Sequence, residues 1–365
     1  MEKTTLKLTR KIQILADLPT TEERKETLDT LYQWQNRCFR AANLIVSHLY
    51  VQEMIKEFFY LSEGIKYKLA DEKKVENGIL QRSRINTTYR VVSNRFKGDI
   101  PTNILSCLNN ALIATFNKNR LEYWKGERAL MNFRRDLAFP FSAEAISGLT
   151  FNAEKKAFCF RLFKIPFRTY LGKDHSDKQK LLERVIQGEI KLCTSHIKLK
   201  DGKIFWLPIF EIEKEKHSLK PDLIAEASLS IEHPIIVKIN KHKHTIGTKE
   251  EFLYGRLAIQ AARNRAQLGA TYSKSGKGVK RKLKSVNKFR EAENKFVQHR
   301  IHVYSRRLID FCVKHQAGTL ILLNQQNKIE IAKEEDVILR NWSYYELMDK
   351  IKYKAKKAGI EMIVD

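Results

Sequence analysis

The spacing of hydrophobic positions divides the chain into helical and strand-forming stretches. The opening TTLKLTRKIQIL alternates between apolar and polar residues as a strand does. From Thr20 or Thr21, either of which can cap a helix, to about residue 135 the apolar positions follow a helical period. Pro101 is expected near the first turn of a second long helix in this region. One predicted apolar stripe joins Leu31, Trp34, Cys38, Ala41, Ala42, Ile45, Leu49 and Ile55.

After Pro140 the composition favours strands. KAFCFRLFKIPF and SHIKLKDGKIFWLPIFEI are rich in aromatic and β-branched residues, Asp201-Gly202 predicts a hairpin turn, and KQKLLERVI predicts a short helix. Beyond Lys220-Pro221 strands and helices alternate, which predicts an α/β layer with a mixed or parallel sheet. The predicted elements there are strands over 223–239, 318–324 and 360–364 and helices over 249–268, 286–315 and 343–358.

The net charge of the chain indicates what kind of molecule it binds. The 365 residues include 68 Lys and Arg against 42 Asp and Glu, a net charge of +26. Such a surplus predicts a polyanionic partner, with nucleic acid favoured over an anionic membrane surface. No apolar run approaches the roughly 20 residues that cross a bilayer, and the first residues lack a signal-peptide core, so we expect a cytoplasmic protein without a membrane partner. The five cysteines are widely scattered, which favours packed thiols over a zinc ribbon or disulfides.

Just over half of the positive surplus lies between Lys241 and Arg307, where 18 Lys and Arg face 4 Asp and Glu. We predict that this segment binds phosphate, without base specificity; a solvated charged face with a disordered loop is the alternative. The predicted nucleic-acid-binding residues are Arg256, Arg263 and Arg265 on one helix, Lys274, Lys277, Lys280, Arg281, Lys282 and Lys284 on a Gly-flanked loop, and Arg290, Arg300, Arg306 and Arg307 on the next helix.

Aromatic residues and histidines offer weaker candidates. Trp342 and the tyrosines at 344 and 345 could stack on bases, although a core position is favoured for Trp342. His242 and His244 could ligate a metal ion, but no carboxylate or cysteine accompanies them, so a basic surface loop is favoured.

The stretch RNWSYYELMDKIKYKAKKAGIEMI resembles the C-terminal part of the TnpB group of RNA-guided nucleases, and most closely their miniature type V-F CRISPR descendants. The resemblance continues backward through NKFVQHRIHVYSRRLIDFCVKHQAGTLILLN, GKGVKRKLK and KEEFLYGRLAIQAARNRAQ. It implies a multidomain α+β and α/β fold in which a helical recognition domain is inserted into an oligonucleotide-binding-like β-barrel ahead of an RNase H-like RuvC domain. The implied boundaries are 1–16 for the first barrel strand, 17–138 for the helical domain, 139–218 for the remaining barrel and 219–365 for a degenerate RuvC domain.

Members of this family cut DNA with three acids that hold two metal ions. The resemblance places the first acid's position at Ser228, in EASLS, and the second at Leu323, near the end of TLILLN. The third acid follows a zinc ribbon in the family and has no counterpart before Asp365. Because a hydroxyl and an isobutyl group cannot replace carboxylates as ligands, we predict that the chain is not an enzyme and has no metal and no cofactor.

What the resemblance then implies is an RNA-guided DNA-binding protein without nuclease activity that controls transcription at guide-matched sites. The expected partners are a guide RNA and target double-stranded DNA; a sigma factor with RNA polymerase, and a second copy of the chain, are further partners that the resemblance allows. The expected location is the nucleoid of a prokaryotic cell. Two alternatives stay open: a diverged, active RNA-guided DNA endonuclease with relocated metal ligands, and a transposon remnant with general nucleic-acid affinity.

Overall fold

The computed structural model describes residues 5–58, 84–173, 177–229, 233–272, 276–323 and 343–364. The chain divides into two compact units. One unit is Lys7–Ile212, and the other contains the chain from Glu213 onward together with the first residues of the chain.

The described part of the Lys7–Ile212 unit combines two sheets with a group of helices. A seven-stranded sheet has the order β3-β8-β9-β2-β6-β5-β4, and a three-stranded sheet has the order β1-β10-β7. Asp201 and Gly202, with φ of 53° and 71°, turn between two strands of the larger sheet, which confirms the predicted hairpin. The strands are β1 Thr5–Thr9, β2 Ile12–Ala16, β3 Phe139–Phe141, β4 Ile146–Asn152, β5 Ala157–Leu162, β6 Ile165–Tyr170, β7 Lys191–Leu192, β8 Ser195–Lys200, β9 Lys203–Leu207 and β10 Ile209–Glu213.

The described residues between β2 and β3 form four helices, as the predicted helical region requires. They are α1 Thr21–Phe58, α2 Arg84–Phe96, α3 Thr102–Lys118 and α4 Arg120–Trp124; α5, Lys178–Ile186, follows β6. Thr20 and Glu23 cap α1 reciprocally, since the Glu23 amide donates to Thr20 Oγ1 at 3.2 Å and the Thr20 amide donates to Glu23 Oε2 at 3.3 Å. The predicted single helix after Pro101 is interrupted at Asn119 and ends before Gly126, which has a φ of 72°.

The predicted apolar stripe of α1 is largely confirmed. Trp34 is only half-buried, and the side chain of Ile55 lies outside the described residues. The buried members of the stripe are Leu31, Cys38, Ala41, Ala42, Ile45 and Leu49.

The second unit has the predicted mixed sheet, in the order β13-β12-β11-β14-β15. Strand β14 is parallel to β11 and β15, whereas β12 is antiparallel to β11 and β13. The strands are β11 Lys220–Ser228, β12 Ile235–Ile239, β13 His242–Ile246, β14 Ala317–Leu323 and β15 Glu361–Val364. The helices are α6 Gly255–Thr271, α7 Gly276–Lys314 and α8 Tyr344–Ala358, and a π-helical turn, Glu250–Tyr254, precedes α6.

The core of this unit lies between one sheet face and helices α7 and α8. Alternate residues of β11, among them Ala225 and Ala227, are fully buried, whereas Glu226 between them is exposed. The sheet packs tightly at its parallel centre: a Cβ on Gly318 would lie 2.7 Å from the carbonyl oxygen of Lys220. Only glycine therefore allows β14 to approach β11 this closely.

Three predictions for this unit are wrong in detail. The strand predicted over 223–239 is two antiparallel strands, β11 and β12. The Gly-flanked loop predicted over residues 277–284 belongs to α7. Lys, Arg and Leu are strong helix formers, and this propensity outweighs the flanking glycines. His242 and His244 lie on strand β13 rather than on a loop, while Trp342 and Lys274 lie outside the described residues.

Among the described helices, none is both long enough and apolar enough to cross a bilayer.

Candidate nucleic-acid interface

The basic segment of the sequence folds mainly as the α6–α7 hairpin, two consecutive helices that pack against each other. Two sets of its described cations differ in their surroundings. One set contacts acidic side chains inside the hairpin and beside it, and the other set faces solvent.

The first set is centred on Glu293, which is only 6% exposed. Arg256 Nε donates to Glu293 Oε1 at 2.9 Å and Arg263 Nη1 donates to Oε2 at 3.0 Å. Gln260 Nε2 donates to Oε1 at 2.8 Å. Burial raises the pKa of Glu293, but the hydrogen bonds and charges of these partners lower it more, so its pKa lies below the usual value. The two arginines therefore neutralise an internal carboxylate.

A second internal pair joins Arg300 of α7 to Glu251 in the π-helical turn. Tyr304 also donates to Glu251, Oη to Oε2 at 3.2 Å, and the Arg300 guanidinium lies 5.4 Å from the Phe296 ring centroid. Burial, with the adjacent Glu251 charge, raises the pKa of Tyr304 far above its usual value. Arg300 thus holds the turn before α6 against the middle of α7.

The second set forms a line on the outer surface of α7, which we term the α7 stripe: Arg281, Lys284, Lys288 and Lys295. Their spacings of three, four and seven residues place them on one side of a helix with 3.6 residues per turn, opposite the buried Val297 and Ile301. All four are exposed, and none forms an ion pair within the described ranges. Arg306 continues this face, but its Nε pairs with Asp310 Oδ1 at 2.8 Å.

The remaining predicted residues are spread around the hairpin. Arg265, Arg290 and Arg307 are exposed but lie away from the α7 stripe. Lys277, Lys280 and Lys282 belong to α7, with side chains outside the described residues. Since residues 276–284 are helical, their amides are not available as a phosphate-binding loop. Phosphate contact stays a prediction for the whole set.

The prediction placed Lys295 on the same helix as Arg290 but omitted Lys288, although the helical period of lysines along α7 marks that position. It also omitted a basic patch in the Lys7–Ile212 unit, where Lys11 Nζ lies 3.9 Å from the Phe205 ring centroid. Burial lowers the pKa of Lys11, and the charges of Lys200 and Lys198 lower it further. The alternation in SHIKLK, which places Lys198 and Lys200 on one face of β8, was the available signal.

Ser228 and Leu323 are direct register partners at the carboxyl ends of the adjacent parallel strands β11 and β14. The structure therefore brings the two positions together. Glu226, on the same face of β11 as Ser228, is the nearest acid along that strand.

These side chains do not fit the two-metal site that the resemblance implies, because such a site needs several carboxylate ligands. Within the described residues, no group of three or more His, Cys, Asp and Glu side chains could hold a metal ion.

No family model matches the chain. Three curated proteins named CRISPR-associated endodeoxyribonuclease Cas12f1 are similar to it. The one from Syntrophomonas palmitatica is 26% identical over 201 residues, 54% of this chain and 39% of that protein. The one from Sulfoacidibacillus thermotolerans is 23% identical over 266 residues, 68% and 62% of the two chains. The one from an uncultured archaeon is 26% identical over 200 residues, 50% and 36%. Each match thus spans less than two thirds of the relative's length.

A solved structure has the same fold. It is the cryo-EM structure of a Cas12f1-sgRNA-target DNA complex, with a TM-score of 0.69, 15% identity, and coverage of 99% of this chain and 89% of that one. The chain is related to the miniature type V-F CRISPR effectors.

This relationship to Cas12f1 confirms the predicted family and the predicted fold class. The four domain boundaries stay predictions. The prediction that the chain is not an enzyme is wrong at the level of the family, because all three curated Cas12f1 relatives are named endodeoxyribonucleases.

Proposed function

We propose that this chain binds a guide RNA and, through base pairing of that RNA, double-stranded DNA of matching sequence. The observation that carries the proposal is the α7 stripe, a line of exposed cations with no acidic partner among the described residues. From Arg281 to Lys295 the helix rises about 21 Å, which is the axial length of about six nucleotides of one strand. The names of the curated relatives and the sgRNA–DNA complex of the similar structure support this choice of polyanion.

A basic surface without base-specific contacts is enough for binding at a defined DNA sequence, because the RNA and the protein have different roles. Lys and Arg contacts to phosphate position a nucleic acid and carry no sequence information. In RNA-guided systems the sequence is read by base pairing, while the protein holds the backbone. The α7 stripe therefore needs only to recognise the phosphate spacing of a strand.

The direct test begins with the RNA that co-purifies with the protein. We expect a defined small RNA whose guide segment directs binding to a matched DNA duplex over a scrambled duplex of equal length. Removing the RNA should abolish this preference. Equal binding to both duplexes, or a heterogeneous RNA population, would instead support general nucleic-acid affinity.

Control of transcription is the finer part of the proposal. A complex bound at a promoter occupies DNA that RNA polymerase needs, whether or not that DNA is later cut. Recruitment of a sigma factor with RNA polymerase is the opposite mode of control. Two copies of the chain on one guide RNA would be compatible with both blocking and recruitment. The chain would then act at the nucleoid.

A reporter with the guide-matched site at the promoter or upstream of it tests this part. Lower expression indicates blocking, higher expression indicates recruitment, and unchanged expression at both positions contradicts transcriptional control. Mass measurement of the RNA-bound complex gives the number of protein copies.

RNA-guided cleavage of DNA is the second candidate, favoured by the endodeoxyribonuclease names of the curated relatives. Any such activity must draw on acids outside the Ser228 and Leu323 positions. Glu226 is the first to test, with Asp222 as its control, because both are exposed on the same face of β11. Cutting of matched DNA in a buffer with Mg²⁺ that Glu226→Gln abolishes and Asp222→Asn preserves would support relocated ligands. Intact strands at full occupancy would count against this candidate.

A further inference from the structure

A cavity of about 250 Å³ lies in the second unit, away from the α7 stripe. The C-terminal half of α7, helix α8 and the segment between β10 and β11 enclose it. Four cations and two carboxylates line it: Arg306, Lys314, Lys354, Lys357, Glu215 and Asp310. Without Lys354, whose amine must be neutral to react, three cations face two carboxylates, so the lining has one excess positive charge.

Lys354 differs from the other cations of the cavity because its amine bonds to neutral oxygens. Its Nζ donates to the carbonyl oxygen of His302 at 2.5 Å and to Ser305 Oγ at 2.9 Å. Ser305 Oγ itself donates to the Ile301 carbonyl at 2.7 Å, so it is oriented to accept from the lysine. A neutral amine has two N–H bonds, and these two acceptors satisfy both. The nitrogen lone pair is then not engaged by either acceptor, and the Lys354 side chain lines the cavity.

The other cations supply an anion-binding lining. Lys357 Nζ pairs with Glu215 Oε1 at 2.6 Å, and Arg306 pairs with Asp310. Lys314 is exposed and has no ion pair within the described part of the chain. A phosphate group in the cavity would add the negative charge that this lining lacks.

We propose that Lys354 is an acylation site for small acyl phosphates, which the cavity binds through their phosphate group. The Nζ lone pair attacks the acyl carbon, forming a C–N amide bond. The C–O bond to phosphate breaks, and its electron pair leaves with the phosphate. The departing phosphate takes the proton that the nitrogen loses. The products are acyl-Lys354 and inorganic phosphate, with no oxidant or reductant involved.

The electrostatic surroundings favour the reactive form of the amine. Burial, followed by the charges of Arg306, Lys350 and Lys357, lowers the pKa of Lys354 to about 8, and the charge of Asp310 partly opposes this shift. At pH 7.5 about a quarter of such amines are neutral, against about one in a thousand for an ordinary lysine. A less basic amine is also a weaker nucleophile, so we expect a net rate advantage of about tenfold.

The experiment treats the full-length protein with acetyl phosphate and quantifies acetylation of each lysine by mass spectrometry over time. Lys354 should be acetylated about tenfold faster than Lys352, an exposed lysine of the same helix. Its rate should level off above about pH 8, the value to which the pKa of Lys354 is lowered. N-acetoxysuccinimide, an uncharged donor, should show a smaller preference for Lys354, because it lacks the phosphate.

Lys354→Arg should remove this fast phase and leave the other sites unchanged. The wild-type pH profile keeps the test decisive even where that variant folds poorly. Equal rates at Lys354 and Lys352 across the pH range would overturn the proposal. An equal preference with the two donors would overturn the role of the cavity in binding phosphate.

Discussion

The two sets of cations in the α6–α7 hairpin differ in whether an acid accompanies them. Arg256 and Arg263 surround the buried Glu293, whereas the cations of the α7 stripe form no ion pair among the described residues, although the exposed Glu291 lies four residues before Lys295. Both sets come from one basic segment of the sequence, and counting charged residues along that segment does not distinguish them. The difference teaches that the placement of counter-charges decides whether an arginine holds two helices together or stays available to a polyanion.

The two sets should therefore affect different measurements. Removing one partner of a buried pair leaves the other charged and desolvated, which reduces folding stability. Removing an exposed cation has little effect on stability but loses a phosphate contact and the counterions that this contact releases. Stability and RNA affinity can thus be changed independently within one hairpin.

Neutralising the α7 stripe should have the largest effect. With Arg281, Lys284, Lys288 and Lys295 all changed to Gln, RNA affinity should fall about 100- to 1,000-fold near physiological salt, and the slope of log K against log salt should become shallower by about 3 to 4. Fluorescence anisotropy titrations at several salt concentrations measure both. The control changes four exposed lysines outside the hairpin: Lys118, Lys180, Lys352 and Lys356. Equal losses in the two variants would mean that the α7 stripe is not the binding face.

Glu293→Gln should lower the free energy of unfolding by about 3 kcal/mol, because it leaves the charges of Arg256 and Arg263 without their shared partner. Urea unfolding followed by circular dichroism measures this. Glu154→Gln, at an exposed position outside the hairpin, is the control and should change stability by under about 0.5 kcal/mol. RNA affinity of the folded protein should be retained in both variants. A large loss of affinity in Glu293→Gln alone would break the division between the two sets.

A double-mutant cycle measures how strongly each arginine interacts with Glu293. Combining Arg256→Gln with Glu293→Gln should give a coupling free energy of about 2 kcal/mol, and Arg263→Gln with Glu293→Gln about 1 kcal/mol. The order follows from exposure, since the Arg256 side chain is 15% exposed and that of Arg263 is 31% exposed. Coupling near zero for both pairs would show that the arginines act through packing of their alkyl chains.

The smallest effect should appear in the pH dependence of stability. Because the pKa of Glu293 is lower in the folded state, its contribution is fully present above the unfolded value of about 4.3 and is lost as the pH falls through the folded value. Unfolding free energies measured between pH 6 and pH 3 should therefore decline less steeply in Glu293→Gln than in the wild type. Parallel declines would assign the acid sensitivity to other carboxylates.

Local patterns predicted most elements of the fold correctly. The Asp201-Gly202 turn and the α1 stripe depend on residues close in sequence, so spacing alone identified them. The neighbouring positions of Ser228 and Leu323 followed from a family pattern that encodes the pairing of β11 with β14. Such features can be predicted because they depend either on residues a few positions apart or on a known family motif.

The partners of Glu293 could not be predicted in this way. Arg256 and Arg263 lie 37 and 30 residues before it, and nothing local shows that α6 brings them to one carboxylate. The sequence therefore listed these arginines with those of the exposed surface. The predicted loop failed for a related reason, since two glycines suggested a break that the helix propensity of the adjacent residues overcame.

Strand β13 has a consequence for solubility. It is an edge strand of the five-stranded sheet, and its first four residues, His242-Lys243-His244-Thr245, are exposed. An uncovered edge presents unpaired amides and carbonyls that can pair with the same edge of another molecule, and a lysine in its middle opposes such stacking by charge repulsion. The positive charge that suits the protein to nucleic acid thus also discourages self-association of the sheet, most strongly at low ionic strength.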